Sequence, residues 1–580
     1  MNKVLMRRFH YIACTMMAAM MLVATSCSEF DDYNDAPSDA TASGNMTLWQ
    51  NISQNPQLSD FASLVKRTRF DVELDNTRAY TVWAPLNGTF NVGAYQQLDD
   101  STLLAQFVKS HVAQYNHVAS GSIDERIHTL NKKSFPFTGN GDYSYDGIHI
   151  SAPNQPSSNG VMHLMDGAAQ FFPNLYEYLS MGQGIDSLRN YFLGYELTTL
   201  DLQNSVKGSV VGGVQTYIDS VLITTNSLTR QLNASLDNED STYTFIIPTD
   251  KAYQQMYDKV KQNYNFIATT KVQDVEQFAS ASATNSKTVT VNAEYLSDSL
   301  TRRHIVRNLI FSNNDGYNRW VVGKGLFSDT LRSTTRNKLS NPNDILAQTI
   351  EKVEMSNGFA HIVDSLAFYP WETFAPEIEV SPSRHVANKF NCSSQNVTFT
   401  DPEGRVFGPE IKEFRYTWIY PTSEYSKPDV FISLPNVNST TYNFYCVFLP
   451  SAYVANDSLP NILNFQLSYC AANGNLATYN FSKAYADSLL TGGTLPRVPS
   501  SVSMTTAFTN DPLKTDTVFI GRFQFPVAYN GLGDEYRPNI HISNPISVFN
   551  KTQMSTYTRD MRIAAIIMRP VEMDEFEKEQ

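Results

Sequence analysis

The sequence predicts an α+β chain: two successive mixed helix-and-strand domains, then an all-β antiparallel sandwich. Three observations predict it. The stretch YTVWAPLNGTF, Tyr80 to Phe90, is rewritten as YTFIIPTDKAY, Tyr243 to Tyr253. Two further stretches recur after each copy in the same order. Beyond about residue 375, helical periodicity gives way to short strands bounded by turn residues. At 580 residues the chain is too long for one core, and three compact units are the natural expectation.

The chain starts with MNKVLMRRFHYIACTMMAAMMLVATSCSEFDDY. A basic start leads into an apolar run, Tyr11 to Ala24, that is short for a membrane span and reads as an export signal over residues 1–26. Ala24-Thr25-Ser26-Cys27 resembles the lipobox of bacterial lipoproteins, with Ala24 in place of the commoner Leu. That resemblance implies that Cys27 is lipidated and becomes the mature N-terminus; the alternative is ordinary secretory cleavage with Cys27 incidental. Glu29, Asp31 and Asp32 follow at once, which is similar to the surface-export signal of Bacteroidota lipoproteins. The expected location is therefore the outer membrane, lipid-anchored and facing outward, with residues 27–44 as anchor and linker. The first 26 residues hold three cations (Lys3, Arg7, Arg8) and no acid, so removing them takes the formal charge from −13 to −16. Such a surface repels phosphate backbones, which argues against nucleic acid as a partner.

The duplicated stretch is one local instruction. Tyr80 to Trp83 is β-branched and aromatic, a strand by composition. Pro85 is expected to end its ladder, and Asn87 or Gly88 to start a helix, with Asn87 accepting from the freed N–H groups of the first turn. Pro248, Thr249 and Asp250 repeat the pattern before the helical run KAYQQMYDKV. LAQFVKSHV (Leu104 to Val112) returns as RRHIVRNLI (Arg302 to Ile310). NGVMHLMDGAAQFFP (Asn159 to Pro173) returns as NGFAHIVDSLAFYP (Asn357 to Pro370). Upstream, Leu48, Trp49, Ile52, Phe61, Leu64 and Val65 form the core side of an amphipathic helical pair.

This ordered set resembles the fasciclin domain family, with its TVFAPTNxAF-like first box, His-containing second box and NGxIHxID-like closing strand. The resemblance covers residues 45–174 and, with insertions, 175–375. It implies a wedge-shaped β-sandwich with helices along one edge, acting in adhesion and matrix contact without catalysis. Leu86 stands where the family carries Thr, which would thin the polar network under the first box. The second copy also has a long connection, Leu193 to Ser241, in which GSVVGGVQTYIDSVLITTNSL reads as an inserted hairpin or extra strands.

Residues 376–580 read as the sandwich. FRYTWIY, DVFISLP, TYNFYCVFLP, NFQLSYCAA, DTVFIGRFQF and RIAAIIMRP are strand-like, and Ile563 to Met568, apolar on both faces, should be central. Phe414, Tyr416, Trp418 and Tyr420 alternate onto one face. Such a row is either sandwich core or a platform on which sugar faces stack; Tyr416, Trp418 and Tyr420 are the candidate ligand platform. Cys392, Cys446 and Cys470 leave one disulfide possible, with Cys446 reading as a buried free thiol beside Phe444 and Phe448.

No catalytic motif, cofactor fingerprint or Cys/His metal cluster is present, so a non-enzymatic chain without cofactor or metal is expected. His111, His163, His304 and His361 occupy matched positions in the two repeats and read as structural hydrogen-bonding groups. LDNEDST, Leu236 to Thr242, lacks the glycine and terminal Glu of a calcium loop and reads as a solvated turn. Asp-Ser/Thr followed by an apolar residue or Thr resembles the O-glycosylation sequon of Bacteroides-type exported proteins. It occurs at Ser101, Ser187, Ser220, Ser241, Ser299, Thr330, Ser365, Ser458, Ser488 and Thr517, and turn chemistry accounts for part of the excess. The functional expectation is a surface lipoprotein binding a protein or glycan partner. The alternative is an accessory subunit of a TonB-dependent nutrient importer, beside its substrate-capturing lipoprotein.

Overall fold

The computed structural model describes residues 44–203, 205–219, 221–267, 269–273, 288–318, 330–398, 415–490, 507–529 and 537–580. Cys27, Ser220 and Phe414 lie outside the described residues. No helix among those described is long and apolar enough to cross a membrane. The chain divides into two compact units, Met1–Phe172 and Pro173–Gln580.

The first unit is built on β1 (Tyr80–Pro85), β2 (Val112–Gln114), β3 (Ser122–His128), β4 (Ser134–Asn140), β5 (Tyr143–Tyr145), β6 (Ile148–Ser157) and β7 (Gly160–Met165). They form one sheet in the order β2-β1-β7-β6-β5-β4-β3, with β1 and β7 parallel. Two register shifts in β6 bend it. The sheet curls until its ends meet: Ala113 bridges Thr129, and the Leu130 N–H donates to the Val112 carbonyl at 2.8 Å. The expected sandwich is thus a single sheet folded over itself. Alternation along β1 serves two cores. Tyr80, Val82 and Ala84 pack on the helical side with Leu48, Ile52, Phe61, Leu64 and Val65, while Trp83 points into the curl with Phe137, Tyr145 and Met165.

One junction ties each repeat together. Asn159 accepts from the Leu48 N–H at 2.7 Å and donates through Nδ2 to the carbonyls of Leu74 (2.9 Å) and Asn76 (2.6 Å). Its own carbonyl accepts from the Tyr80 N–H at 3.2 Å. Asn357 repeats every bond: Leu175 N–H at 2.9 Å, carbonyls of Leu236 (2.7 Å) and Asn238 (3.2 Å), and the Tyr243 N–H at 3.0 Å. Leu48 and Leu175 each open a helix, Leu48–Gln54 and Leu175–Met181, and each helix carries a capping box, on Thr47 and Asn174. The following glycine meets the opening strand directly. Tyr80 pairs with Gly160 and Tyr243 with Gly358, both in parallel register. With φ of 154° and 139°, these glycines would bring a Cβ to 2.0 Å from the Tyr80 carbonyl oxygen and 1.9 Å from that of Tyr243.

Two local expectations change. Pro85 and Pro248 do not stop pairing, for each faces a partner, Met165 and Val363, in the parallel ladder. The next residue adds a bond: Leu86 N–H to Met165 O at 3.0 Å, Thr249 N–H to Val363 O at 2.9 Å. The missing proline N–H costs nothing there, because β2 has already ended opposite Val82. Nor does Asn87 cap the helix that follows it. Its Oδ1 accepts from the Asp60 N–H at 3.0 Å, capping the earlier helix Ser59–Arg67, and the next helix starts only at Val92, capped by Asn91. Leu86 has no capping oxygen, whereas Thr249 caps the helix Asp250–Lys261 at once.

In the second unit the strands Ile310–Ser312, Tyr243–Pro248, Gly358–Val363 and Thr349–Met355 form a four-stranded sheet in that order, under helices that fill one core. LDNEDST is not simply solvated: Glu239 is buried and accepts from Ser356 Oγ at 3.0 Å and Asn174 Nδ2 at 3.4 Å. The sandwich follows as two antiparallel sheets closed over a second core. All six strand-like segments are strands, and Met561–Pro570 is central, paired with Arg415–Pro421 and Thr441–Phe448. Cys392, Cys446 and Cys470 are buried and free, with Cys446 between Phe444 and Phe448 in that core. The two cores of this unit touch. Phe266 packs against both, and the Phe374 carbonyl accepts from Tyr264 Oη at 3.0 Å and Asn438 Nδ2 at 2.6 Å.

Gly160→Ala and Gly358→Ala should each lower stability by about 3 kcal/mol or more, since a methyl group has no room against backbone. Chemical denaturation of the purified variants checks this. A change under about 1 kcal/mol at either position would contradict the junction.

Candidate binding surfaces

Three features of the described surface offer themselves to a partner. The first is an arm. Between the helices Asp186–Leu193 and Ser227–Gln231, the chain runs out through Glu196–Leu200 and Val206–Val211, turns at Gly212-Gly213, and returns through Val214–Asp219 and Leu222–Asn226. Leu200 pairs with Leu222 in the outer ribbon and Val211 with Val214 at the tip. Both turn glycines have positive φ, as a two-residue hairpin turn requires. The insertion read from the sequence is therefore a two-stranded antiparallel hairpin. Its surface is apolar: Leu197, Val206, Val210, Val211, Val214, Ile218 and Leu222 are each more than half exposed, Ile218 at 79 %. No charged residue occurs from Gly208 to Ile218. A two-stranded ribbon with no core of its own is marginal in water, and apolar exposure of this kind marks an interaction surface.

The second is an aromatic shelf. Trp418 and Tyr420 are half-buried with ring centroids 4.5 Å apart. Trp418 Nε1 donates to Asp560 at 3.0 Å, and the Arg562 guanidinium lies 5.6 Å from the indole centroid. Arg562 is buried and its Nη1 has no hydrogen-bond partner; Asp457 and Asp560 stand 3.8 and 3.6 Å from its nitrogens. Tyr416 lies deeper. It is 6 % exposed and packs with Val447, Leu449, Ala564 and Ile567, a small cluster that Trp418 also packs against and that is separate from the sandwich core that holds Ile419. Tyr416 is packing, while Trp418 and Tyr420, half-buried, keep part of their surface exposed. A ring face, a carboxylate and an under-bonded guanidinium suit a hydroxyl-rich ligand. Arg562 was not singled out from sequence, where it sits in an apolar strand; its pairing with Trp418 is set by register.

The third is the set of modification candidates. Ser101, Ser458 and Thr517 are exposed; Ser187, Ser241, Ser299, Thr330, Ser365 and Ser488 are half-buried.

The four matched histidines do not converge. His111 donates from Nδ1 to the Phe107 carbonyl at 2.8 Å and accepts at Nε2 from the Ala169 N–H at 3.0 Å. His163 donates from Nε2 to the His117 carbonyl at 2.8 Å and accepts at Nδ1 from the Asn154 N–H at 3.2 Å. His304 stacks on Tyr264, and His361 meets Thr349 Oγ1 at 3.2 Å. Among the described residues, no group of three or more His, Cys, Asp or Glu side chains is placed to hold a metal ion.

Residues 56–169 match the fasciclin domain. No curated protein matches the chain. Solved structures similar to parts of it include the fasciclin-domain pair of the insect cell adhesion molecule fasciclin I, at 13 % identity over 55 % of this chain and 99 % of that one, TM-score 0.20. The CBM22-1 xylan-binding domain of Paenibacillus barcinonensis Xyn10C is 10 % identical over 33 % and 93 %, TM-score 0.19. A Paenibacillus xanthan lyase is 8 % identical over 42 % and 20 %, TM-score 0.19.

The fasciclin domain should be acid-sensitive. Burial pushes His111 and His163 down to about 4 from the ordinary 6.5. Between those values the unfolded chain binds more protons than the folded one, so stability is full above about pH 6.5 and falls as pH drops toward 4. Each histidine contributes on the order of 3 kcal/mol to that loss. Melting of the parent should fall between pH 7 and pH 4.5, and His111→Gln or His163→Gln should flatten the slope. Equal slopes in parent and variants would contradict neutral, bonded histidines.

Proposed function

We propose that this chain is a non-catalytic, surface-exposed lipoprotein, anchored through Cys27 in an outer membrane, that binds a protein partner. In this reading residues 175–375 are a second fasciclin copy, supported by the identical register of Tyr243 on Gly358 and by the repeated asparagine junction. The observation that carries the binding role is the apolar arm. Its valines, leucines and isoleucine stand on a ribbon that the rest of its unit leaves uncovered, and a partner that buries them gains the hydrophobic term and completes a sheet. A fasciclin domain in the same chain accords with an adhesion role, since the resemblance implies a rigid interaction module. Glycan binding is a second reading, favoured by the Trp418–Tyr420 shelf with Asp560 and Arg562.

One assay separates the two. The full chain is immobilised and exposed to outer-membrane extract of the producing cell and, separately, to a glycan array. Replacing residues 197–225 by Gly-Gly should leave the melting temperature within a few degrees while reducing protein capture at least tenfold. Trp418→Ala should affect only the array. Unchanged capture by the arm-deleted chain would remove the proposal.

A further inference from the structure

The first unit holds a cavity of about 460 Å3, lined by residues that follow β2 and by the end of β3. Tyr115, His117, Arg126 and His128 face it, with Gln114 and Thr129 beside them. Tyr115 is the unusual member. Its φ is 66°, a left-handed conformation that a bulky side chain rarely adopts. The backbone is held there from several sides. The Tyr115 N–H donates to Ala79 O at 3.0 Å, and Thr81 Oγ1 donates to Tyr115 O at 2.7 Å. Thr81 Oγ1 also accepts from the His117 N–H at 2.8 Å, and buried His163 holds the His117 carbonyl. The ring itself is 54 % exposed.

The fold does not require this strain. At the corresponding place in the second unit stands Asn313, whose N–H donates to Thr242 O at 2.9 Å and whose side chain accepts from Thr244 Oγ1 at 2.8 Å. Asn313 is not among the left-handed residues. Strain that one repeat carries and the other avoids points to a use at that site.

The chemistry of the lining is equally specific. Arg126 and His128 alternate along β3 and so share a side. Arg126 donates to the Ser134 carbonyl at 3.2 Å and has no ion pair among the described residues. His128 Nδ1 meets Ser134 Oγ at 2.9 Å, and His117 Nε2 donates to Gln114 O at 3.0 Å. No carboxylate lines the cavity, in a chain of formal charge −13. A concave surface with a guanidinium, two imidazoles and an open aromatic ring fits an anion built on a hydroxyl-bearing ring with an apolar C–H face.

We propose that this cavity binds a hexuronate unit of an acidic polysaccharide. Tyr115 takes the apolar face of the sugar, Arg126 pairs with its carboxylate, and His117, His128, Gln114 and Thr129 meet its hydroxyls. An extended acidic peptide fits less well. Beside the cavity Val112 and Ala113 are already joined to Leu130 and Thr129 by the Leu130–Val112 bond and the Ala113–Thr129 bridge, which leaves a peptide less backbone to pair with there. The site is independent of the arm and the shelf, and its test can fail while theirs succeed.

Calorimetric titration of the full chain with trigalacturonate and with trimannuronate at low ionic strength tests it. At least one should bind saturably, and its methyl ester at least tenfold more weakly. Arg126→Gln should lose at least tenfold. Tyr115→Gly should also lose at least tenfold while melting no lower than the parent, because glycine relieves the strain. No binding of either acid, equal binding of the ester, parent-like binding by both variants, or equal binding of a triglutamate peptide would each overturn the proposal.

Discussion

Everything in the paired architecture depends on an asparagine and a glycine placed just before a strand. The asparagine gathers three segments distant in sequence: the start of the first helix, the turn that precedes the opening strand, and the opening strand itself. The glycine lets the closing strand lie against the opening one where any side chain would strike a carbonyl. Both asparagines are buried, so the three side-chain bonds of each replace water that cannot reach them. The junction thus fixes the parallel pair, and the parallel pair fixes which face of each strand meets the helices.

Much of this was legible because the local chemistry is strong. Tyr80 to Trp83 reads as a strand by composition and the second copy repeats it, though not as far as the paired Pro85 and Pro248. The helical faces at Leu48, Trp49, Ile52, Phe61, Leu64 and Val65 read by periodicity, and all but the partly buried Trp49 lie in one core. Six of the twelve described strands of the sandwich were readable for the same reason. What stayed hidden depends on distance along the chain. Asn159 bonds a helix 111 residues earlier and Asn357 one 182 residues earlier, and no window of sequence shows that. Asn87 looks like the cap of the helix after it, yet its oxygen reaches back 27 residues to Asp60. The candidate sites were less legible still. Val-Val-Gly-Gly-Val reads as a hairpin, but only the structure shows that its apolar side chains are left bare. Alternation along Arg126-Ile127-His128 places the cation and the imidazole on one side, whereas nothing in the sequence marks Tyr115 as left-handed.

The surfaces that offer chemistry are departures from the repeated frame. The arm is inserted in the second unit only, Tyr115 is strained where Asn313 is relaxed, and the Trp418 shelf stands on the outer face of a sandwich sheet whose inner face is core. A frame held by buried, hydrogen-bonded junctions tolerates such additions, since loops and outer faces carry little of the packing. The acid response of His111 and His163 belongs to the frame, and the proposed binding surfaces belong to the additions.

Amide hydrogen exchange on the full chain tests the central claim most directly, comparing the parent with Asn159→Ala and Asn357→Ala. Each junction should protect its own repeat. Asn159→Ala should speed exchange in the helix from Leu48 and in Tyr80 to Pro85 and leave Leu175–Met181 and Tyr243–Pro248 as slow as in the parent, and Asn357→Ala should do the reverse. Parent-like protection of the opening strand in either variant would contradict the account.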